Sequence, residues 1–270
     1  MLKTIIRNQL NKLEKNSLKK RILRFLQKLL EEICMKCRFF SRIPAQKPLL
    51  SDQQREQRLK WCIDRRDWTV RKWRSVIWSD KSRFTIFKND GPGRVWRTPG
   101  TRFNIENMVP TVKFGGGGLM MWGCFSGKGL GPLVKVEGKM NRFDYIEILG
   151  NYLLPLIKDE FNCRGYLFQD DNAPVHTAAD VQKWILMNKI KVLKDWPSQS
   201  PDLNPIEHLW SELERRIRSR PQTITKVAEL ETALQEEWGK ISRSQVMALI
   251  ESMPRRIEAV IANNGWPTKY

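Results

Sequence analysis

The 270-residue sequence is poor in histidine and cysteine and contains no long apolar run. It has two histidines and five cysteines, and no segment approaches the roughly 18 apolar residues that a membrane-spanning helix requires. No apolar core with a small-residue cleavage site follows the first basic residues, so we predict neither a signal peptide nor a membrane partner. The low, odd number of cysteines is typical of a reducing compartment.

The pair Cys34 and Cys37 forms a lone CxxC motif. A structural zinc site needs four ligands, and the chain offers no second such pair and few histidines. We therefore interpret all five cysteines as plain thiols and predict no zinc site.

Acidic residues are also in the minority, since 29 Asp and Glu stand against 48 Lys and Arg and give a net charge of +19. A chain this basic needs an anionic partner, and nucleic acid is the usual one. The charge would also suit a ribosomal or membrane-surface protein. However, a hydrophobic content of 41% with 11 tryptophans favours a packed enzyme core.

Much of the positive charge lies in residues 1–48, which hold 13 Lys and Arg against 3 Asp and Glu. Apolar residues such as Leu2, Ile6 and Leu10 recur there at helical spacing, which predicts one or two basic amphipathic helices. A DNA-contacting arm and a solvated helix that docks on the main domain remain equally open for this segment. We place the domain boundary at residue 48, with the main domain spanning 49–270.

The main domain alternates between strand and helix patterns. A capping box at Ser51 predicts the first helix. Short apolar runs predict strands at 76–78, 84–87, 95–97, 119–125, 133–136, 166–168 and 191–193, and helical spacing predicts helices at 142–158, 177–188 and 205–219, with two or three more at the end. This order predicts an α/β layer with a mixed sheet, and we assign Trp78, Trp122 and Trp210 to its core.

Three acidic residues occupy positions suited to chemistry. Asp80 and Asp171 each follow a short predicted strand, and ligands collect beyond the carboxyl ends of strands in α/β sheets. Each of them, taken singly, is equally compatible with a turn or helix-cap role. Glu207 ends the segment NPIE (204–207), where Asn204 fits a helix N-cap and Glu207 a capping-box partner. The local pattern therefore favours a structural role for Glu207 and leaves a catalytic one open.

Three ordered segments alter this balance: WSD (78–80) with its following strand, QDDNAPVHT (169–177) and WPSQSPDLNPIE (196–207). They resemble the three catalytic blocks of the Tc/mariner transposases. Further matches at KFGGGGLMMWGCFS (113–126), GLGPL (129–133) and the tail 253–270 extend the resemblance over about residues 38–270. The resemblance implies an RNase H-like mixed sheet flanked by helices, here preceded by the basic N-terminal helices.

The resemblance also implies function and site residues. It assigns the catalytic and metal-binding triad to Asp80, Asp171 and Glu207, with Asp170 as a neighbour that tunes the field. The implied cofactor is a pair of Mg²⁺ ions, for which Mn²⁺ can substitute. The implied activity is cleavage and transfer of DNA strands, which needs double-stranded transposon ends and target DNA, a possible homodimer to pair those ends, and the nucleus as the place of action.

Departures from the family pattern keep other hypotheses open. Lys81 stands where the family commonly has an acid, 35 residues separate Asp171 from Glu207 instead of the commoner 34, and about 50 residues precede Ser51 where full-length members carry two helix-turn-helix units. A truncated, non-catalytic DNA-binding protein is the main alternative, and an RNase H-type nuclease acting on RNA–DNA hybrids is a weaker one. His176 suits either a substrate contact or a local hydrogen bond, whereas we expect His208 to be structural.

Overall fold

The computed structural model describes residues 49–86 and 117–270, together with four positions between 25 and 29. The chain divides into two units, Met1–Lys47 and Pro48–Tyr270, and the second unit carries the sheet. The predictions for residues 1–48 and for a strand at 95–97 fall on parts of the chain outside the described residues. No helix in the described ranges is long and apolar enough to cross a membrane.

The second unit alternates strands and helices, as the sequence predicts. The strands are β1 (Val76–Thr85), β2 (Gly118–Ser126), β3 (Gly129–Val136) and β4 (Leu167–Phe168). The helices are α1 (Asp52–Ile63), α2 (Val70–Arg74), α3 (Arg142–Ile148), α4 (Leu154–Phe161), α5 (Ala179–Met187), α6 (Ile206–Arg218), α7 (Val227–Gly239), α8 (Arg243–Glu251) and α9 (Met253–Ala262). A π-helical turn, Leu149–Leu153, joins α3 to α4, and a 3₁₀ turn, Pro201–Leu203, precedes α6.

The four strands form one mixed sheet in the order β3-β2-β1-β4. β1 pairs antiparallel with β2 and parallel with β4, and β2 and β3 form an antiparallel hairpin. The predicted strand at 191–193 is a single parallel bridge between Phe168 and Val192 on the other side of β4. The mixed α/β fold predicted from the sequence is therefore confirmed.

One local prediction is wrong, because β1 is continuous where the sequence indicated two strands, 76–78 and 84–87. The polar segment between them stays in the ladder since β2 pairs with it along its length, with Asp80 opposite Gly123. Asp80 consequently lies inside a strand and not beyond its end. On its other side, however, β4 pairs only as far as Ile77, so the Asp80 position extends past the end of β4.

The sheet separates two apolar layers. On one face, Trp78 of β1 packs in a cluster with residues of α6 to α9 and with Trp61 of α1 and Trp73 of α2. On the other face, Ile77 and Trp122 pack with residues of α3, α4 and α5. Adjacent strand residues therefore point to opposite layers, as the period of two along a strand requires. Trp78, Trp122 and Trp210 are all buried, which confirms their assignment to the core.

Local capping signals set where several helices begin. The Ser51 hydroxyl accepts from the backbone N–H of Gln54, and the Gln54 side chain accepts from the Ser51 N–H, which completes the predicted capping box. Asn141 and Asp144 form an equivalent box at the start of α3. Three helices follow residue 226, in agreement with the predicted two or three.

Two leucines test how strongly the helical layers support the fold. Leu213 on α6 is fully buried against the sheet, whereas Leu186 at the end of α5 is 77% exposed. Leu213→Ala is expected to lower the free energy of unfolding by about 2–5 kcal/mol, because it leaves a cavity. Leu186→Ala should change it by less than about 0.5 kcal/mol. Urea denaturation followed by tryptophan fluorescence measures both, and equal losses would contradict this packing.

Candidate active site

The three acidic residues singled out in the sequence meet in one cavity. Asp80 extends from β1, Asp171 from the loop after β4, and Glu207 from the first turn of α6, and all three line a cavity of about 400 Å³. The parallel pairing of β1 with β4 explains why Asp80 and Asp171 lie at matching positions past the paired residues. Since Ile77 pairs with Phe168, Asp80 and Asp171 each lie three residues past the same rung of the ladder.

A buried polar network joins the three segments that carry these carboxylates. The Ser79 hydroxyl donates to the Gln169 backbone carbonyl at 2.9 Å, and the Ser79 N–H donates to the Gln169 side chain at 3.2 Å. The Asn204 amide donates to the Ser79 carbonyl at 3.1 Å and to Gln169 Oε1 at 3.3 Å. All three residues are at least 95% buried. Each precedes one of the acidic residues by one to three positions, so the network fixes their spacing.

The capping-box alternative for Glu207 is not realised. The Asn204 N–H bonds to the Pro201 carbonyl, and the Asn204 side chain accepts from the Ile206 N–H while its amide group serves the network. The Glu207 carboxyl group instead hydrogen-bonds to Asp80. The helix start therefore provides the rigid support, and the Glu207 side chain is left for the cavity.

Burial and neighbouring negative charge raise the pKa values of two of these groups. Burial, followed by the nearby charge of Asp171, raises the pKa of Asp80 to about 6. Burial, followed by the charge of Asp80 and a hydrogen bond to it, raises the pKa of Glu207 to about 7. The Trp210 Nε1–H donates to Asp80 Oδ2 at 3.2 Å and holds that carboxyl group in place. Both carboxyl groups therefore bind a proton more readily than a carboxyl group in water does.

Asp171 has a different environment because a histidine faces it. Burial alone would raise the pKa of Asp171, but the hydrogen bond and charge of His176 outweigh burial and lower it. His176 Nδ1 lies 2.5 Å from Asp171 Oδ1 and 2.7 Å from Asp170 Oδ1. Burial would lower the pKa of His176, yet the two aspartates raise it to about 9. An imidazolium ion therefore keeps Asp171 ionised.

Tyr145 of α3 contacts both His176 and Asp170. Its ring stacks on the His176 ring at 3.9 Å between centroids and 11° between planes. Its hydroxyl group donates to Asp170 Oδ1 at 2.9 Å. Asp170 is thus tied to buried partners, which agrees with its assignment as a neighbour of the triad. No sequence signal pointed to Tyr145, because it lies 26 residues before Asp171 in an ordinary helical pattern.

Two sets of side chains in the described residues offer metal ligands. Asp80, Asp171 and Glu207 supply hard oxygen atoms, which Mg²⁺ and Mn²⁺ prefer, and a divalent ion would stabilise the charged forms that burial and mutual repulsion disfavour. Among the described residues, only the second set, Asp170, Asp171 and His176, has ligand atoms that all lie within 4.8 Å of one another. An imidazolium ion has no free lone pair, so His176 is better suited as a counter-cation. The carboxylate triad therefore offers the donor chemistry that divalent ions prefer.

Comparison with known proteins places this arrangement in a family. The DDE superfamily endonuclease family matches residues 75–231, which include all three acidic residues. The Tcb1 transposase of Caenorhabditis briggsae is 44% identical over 231 residues, covering 85% of this chain and 82% of that protein. The Tc1 transposase of Caenorhabditis elegans is 43% identical over the same length. The chain belongs to the Tc1/mariner transposases of the DDE superfamily.

Solved structures of a more distant transposase share the fold. The Mos1 mariner paired-end complex with Mn superposes with a TM-score of 0.77 at 20% identity, covering 97% of this chain and 78% of that one. The Mos1 catalytic domain gives a TM-score of 0.65 at 20% identity, covering 83% of this chain and 100% of that one. The RNase H-like fold expected of a Tc1/mariner transposase is therefore confirmed.

The raised pKa of Glu207 predicts a stabilising substitution. The folded-state pKa of about 7 exceeds the ordinary 4.5, so folding disfavours the charged form and loses stability as pH rises through that interval. In metal-free protein at about pH 8, Glu207→Gln should raise the free energy of unfolding by about 2 kcal/mol. The gain should shrink as the pH is lowered toward about 4.5. Urea denaturation at several pH values measures this, and a loss of stability at pH 8 would contradict the assigned environment.

Proposed function

We propose that this transposase cleaves DNA at transposon ends and transfers the cut strand to target DNA, with Asp80, Asp171 and Glu207 as metal ligands. The observation that carries the proposal is the convergence of these three carboxyl groups in one cavity, although they lie far apart along the chain. Carboxylates that lie together in a partly buried cavity are costly without cations, and phosphodiester cleavage by in-line attack is the chemistry that paired divalent ions support.

Each residue of the cavity has a definable task. Asp80, Asp171 and Glu207 would hold divalent ions, Mg²⁺ or Mn²⁺ in its place, which would supply activation of the attacking oxygen and charge neutralisation at the leaving oxygen of the phosphodiester. Asp80 and Glu207 would hold them once deprotonated. Asp171 is already ionised through His176 and is therefore ready to bind a cation near neutral pH. Trp210 orients Asp80, and the Ser79, Gln169 and Asn204 network maintains the spacing between the carboxylates.

Positive charge elsewhere supports double-stranded DNA as the partner. The chain carries a net charge of +19, and lysines and arginines bind DNA phosphates with a steep dependence on salt. Solved Mos1 structures include a paired-end complex with the left transposon end and a strand transfer complex. By analogy we propose transposon ends and target DNA as substrates, a homodimer that pairs two ends, and the nucleus as the site of action.

Removal of one ligand should abolish the reaction. Asp171→Asn keeps the size of the side chain but removes the charge that a metal ion requires. Cleavage of DNA carrying matching inverted repeats should then fall by more than the roughly 100-fold typical for loss of an outer-shell partner. The matched control is Asp159→Asn on α4, because Asp159 is exposed and lies outside the cavity. A gel-based nicking assay with Mg²⁺ measures both, and unchanged nicking by the Asp171 variant would refute the assigned triad.

Lys81 is the observation that favours the alternative of a non-catalytic DNA-binding protein. Its charge acts on both Asp80 and Asp171, opposing the burial that raises the pKa of Asp80. A cation that acts on both carboxylates opposes the binding of a metal ion to them. Salt-dependent DNA binding without metal-dependent cleavage under any condition would establish the alternative.

Reversing that charge should strengthen metal binding. Lys81→Glu removes a repelling cation and adds an attracting carboxylate, so the Mn²⁺ affinity is expected to rise on the order of ten-fold. Lys128→Glu makes the same change in the exposed β2–β3 turn and should leave the affinity unchanged. Isothermal titration calorimetry measures both. Weaker Mn²⁺ binding by Lys81→Glu would show that Lys81 supports the site.

A further inference from the structure

A buried ion pair lies directly before the helix that carries Glu207. The Arg58 guanidinium group on α1 donates to both carboxylate oxygens of Asp202 at 2.9 and 2.8 Å. Arg58 is fully buried and Asp202 is 3% exposed. Asp202 belongs to the 3₁₀ turn Pro201–Leu203. Asn204 follows this turn directly, and Glu207 lies five residues after Asp202. The pair therefore anchors the last turn before the active-site helix.

The C-terminal segment, residues 263–270, closes over the same aspartate. The backbone N–H and the hydroxyl group of Thr268 both donate to Asp202 Oδ2, at 2.9 and 3.0 Å. Arg58 Nε also donates to the Gly265 carbonyl at 2.8 Å. Gly265 has φ of +84°, and an added Cβ would clash with the Arg55 backbone, so the tail passes this point in close contact with α1. Asp202 thus joins α1, the tail and the 3₁₀ turn.

Arg256 of α9 holds the backbone of the same turn. Its Nη1 donates to the Asp202 carbonyl at 2.6 Å, and its Nε donates to the Ser252 hydroxyl at 2.8 Å. Its other terminal nitrogen lies 3.0 Å from Nδ1 of His208, the residue after Glu207. His208 is exposed and belongs to this contact, as its predicted structural role suggests. The turn and the start of α6 are consequently held by a residue that does not line the cavity.

The energetics of such a cluster favour a positioning role. Taking an arginine and an aspartate out of water costs about as much free energy as their attraction returns, so a buried pair is a weak source of stability. Its strength lies in geometry, because a bidentate pair fixes both partners in one orientation. Asp202 is fixed by four donors to its carboxylate and one to its carbonyl, five residues before a catalytic side chain.

We propose that the C-terminal segment is a positioning element of the active site, acting through Asp202 to hold Glu207 in place. This inference rests on the proposed function of Glu207. Among the described contacts, the tail touches neither the cavity nor any of the three carboxylates, so its effect on the reaction is indirect.

The matched pair Thr268→Val and Thr268→Ser tests the proposal in the full chain. Valine keeps the shape of threonine but removes the hydroxyl donor to Asp202, whereas serine keeps that donor. Hydrogen exchange of metal-free protein should show faster exchange of backbone amides in 203–210 for the valine variant, with wild-type exchange for the serine variant. The Mn²⁺ affinity and the rate of strand cleavage at saturating DNA should fall about ten-fold for valine alone.

Arg58→Lys is the second variant, since it retains the charge but not the two-pronged contact. It should produce the same local change in exchange. Ile250→Val, a conservative truncation at a fully buried position on α8, controls for general destabilisation and should leave exchange in 203–210 and Mn²⁺ affinity unchanged. Wild-type exchange and metal affinity in both Thr268→Val and Arg58→Lys would overturn the proposal. Failure of the wild-type protein to cleave DNA would count against the proposed function. The hydrogen-exchange results for 203–210 would test the positioning role independently of that outcome.

Discussion

Placement of three acidic side chains in one cavity is the constraint on which the rest of this structure depends. The fold holds Asp80, Asp171 and Glu207 there, and burial, followed by the nearby negative charge, raises the pKa values of Asp80 and Glu207. Parallel pairing of β1 with β4 sets the first two, and packing of α6 on the sheet brings the third. The charged forms of Asp80 and Glu207 therefore lower the free energy of unfolding of the metal-free protein.

The surroundings of the cavity divide this task between two kinds of contact. Neutral polar side chains, Ser79, Gln169 and Asn204, cross-link the three segments without adding charge. Charged residues lie behind them: His176 compensates Asp171, and Arg58 and Arg256 compensate and orient Asp202. His176, Arg58 and Arg256 do not line the cavity, so they hold the carboxylate-bearing segments in place without filling the space between the carboxyl groups.

Much of this arrangement could be predicted from the sequence. Strand and helix periods gave the mixed sheet, and the ordered motifs pointed to the three acidic residues. Continuity of β1 could not be predicted, because its polar middle is held by pairing with β2, which is remote in sequence. The local pattern of Glu207 favoured a helix cap, and only the tertiary partners of Asn204 free it for the cavity. Tyr145 and Thr268 act through contacts distant along the chain, which no local pattern reveals.

Anomalous diffraction from crystals soaked in Mn²⁺ tests the central claim most directly. Data collected at the manganese edge should show two peaks among the carboxyl oxygens of Asp80, Asp171 and Glu207, and both should vanish in the Asp171→Asn protein. Absence of any peak there at saturating Mn²⁺, or a peak bounded by Asp170 and His176 in its place, would contradict the account.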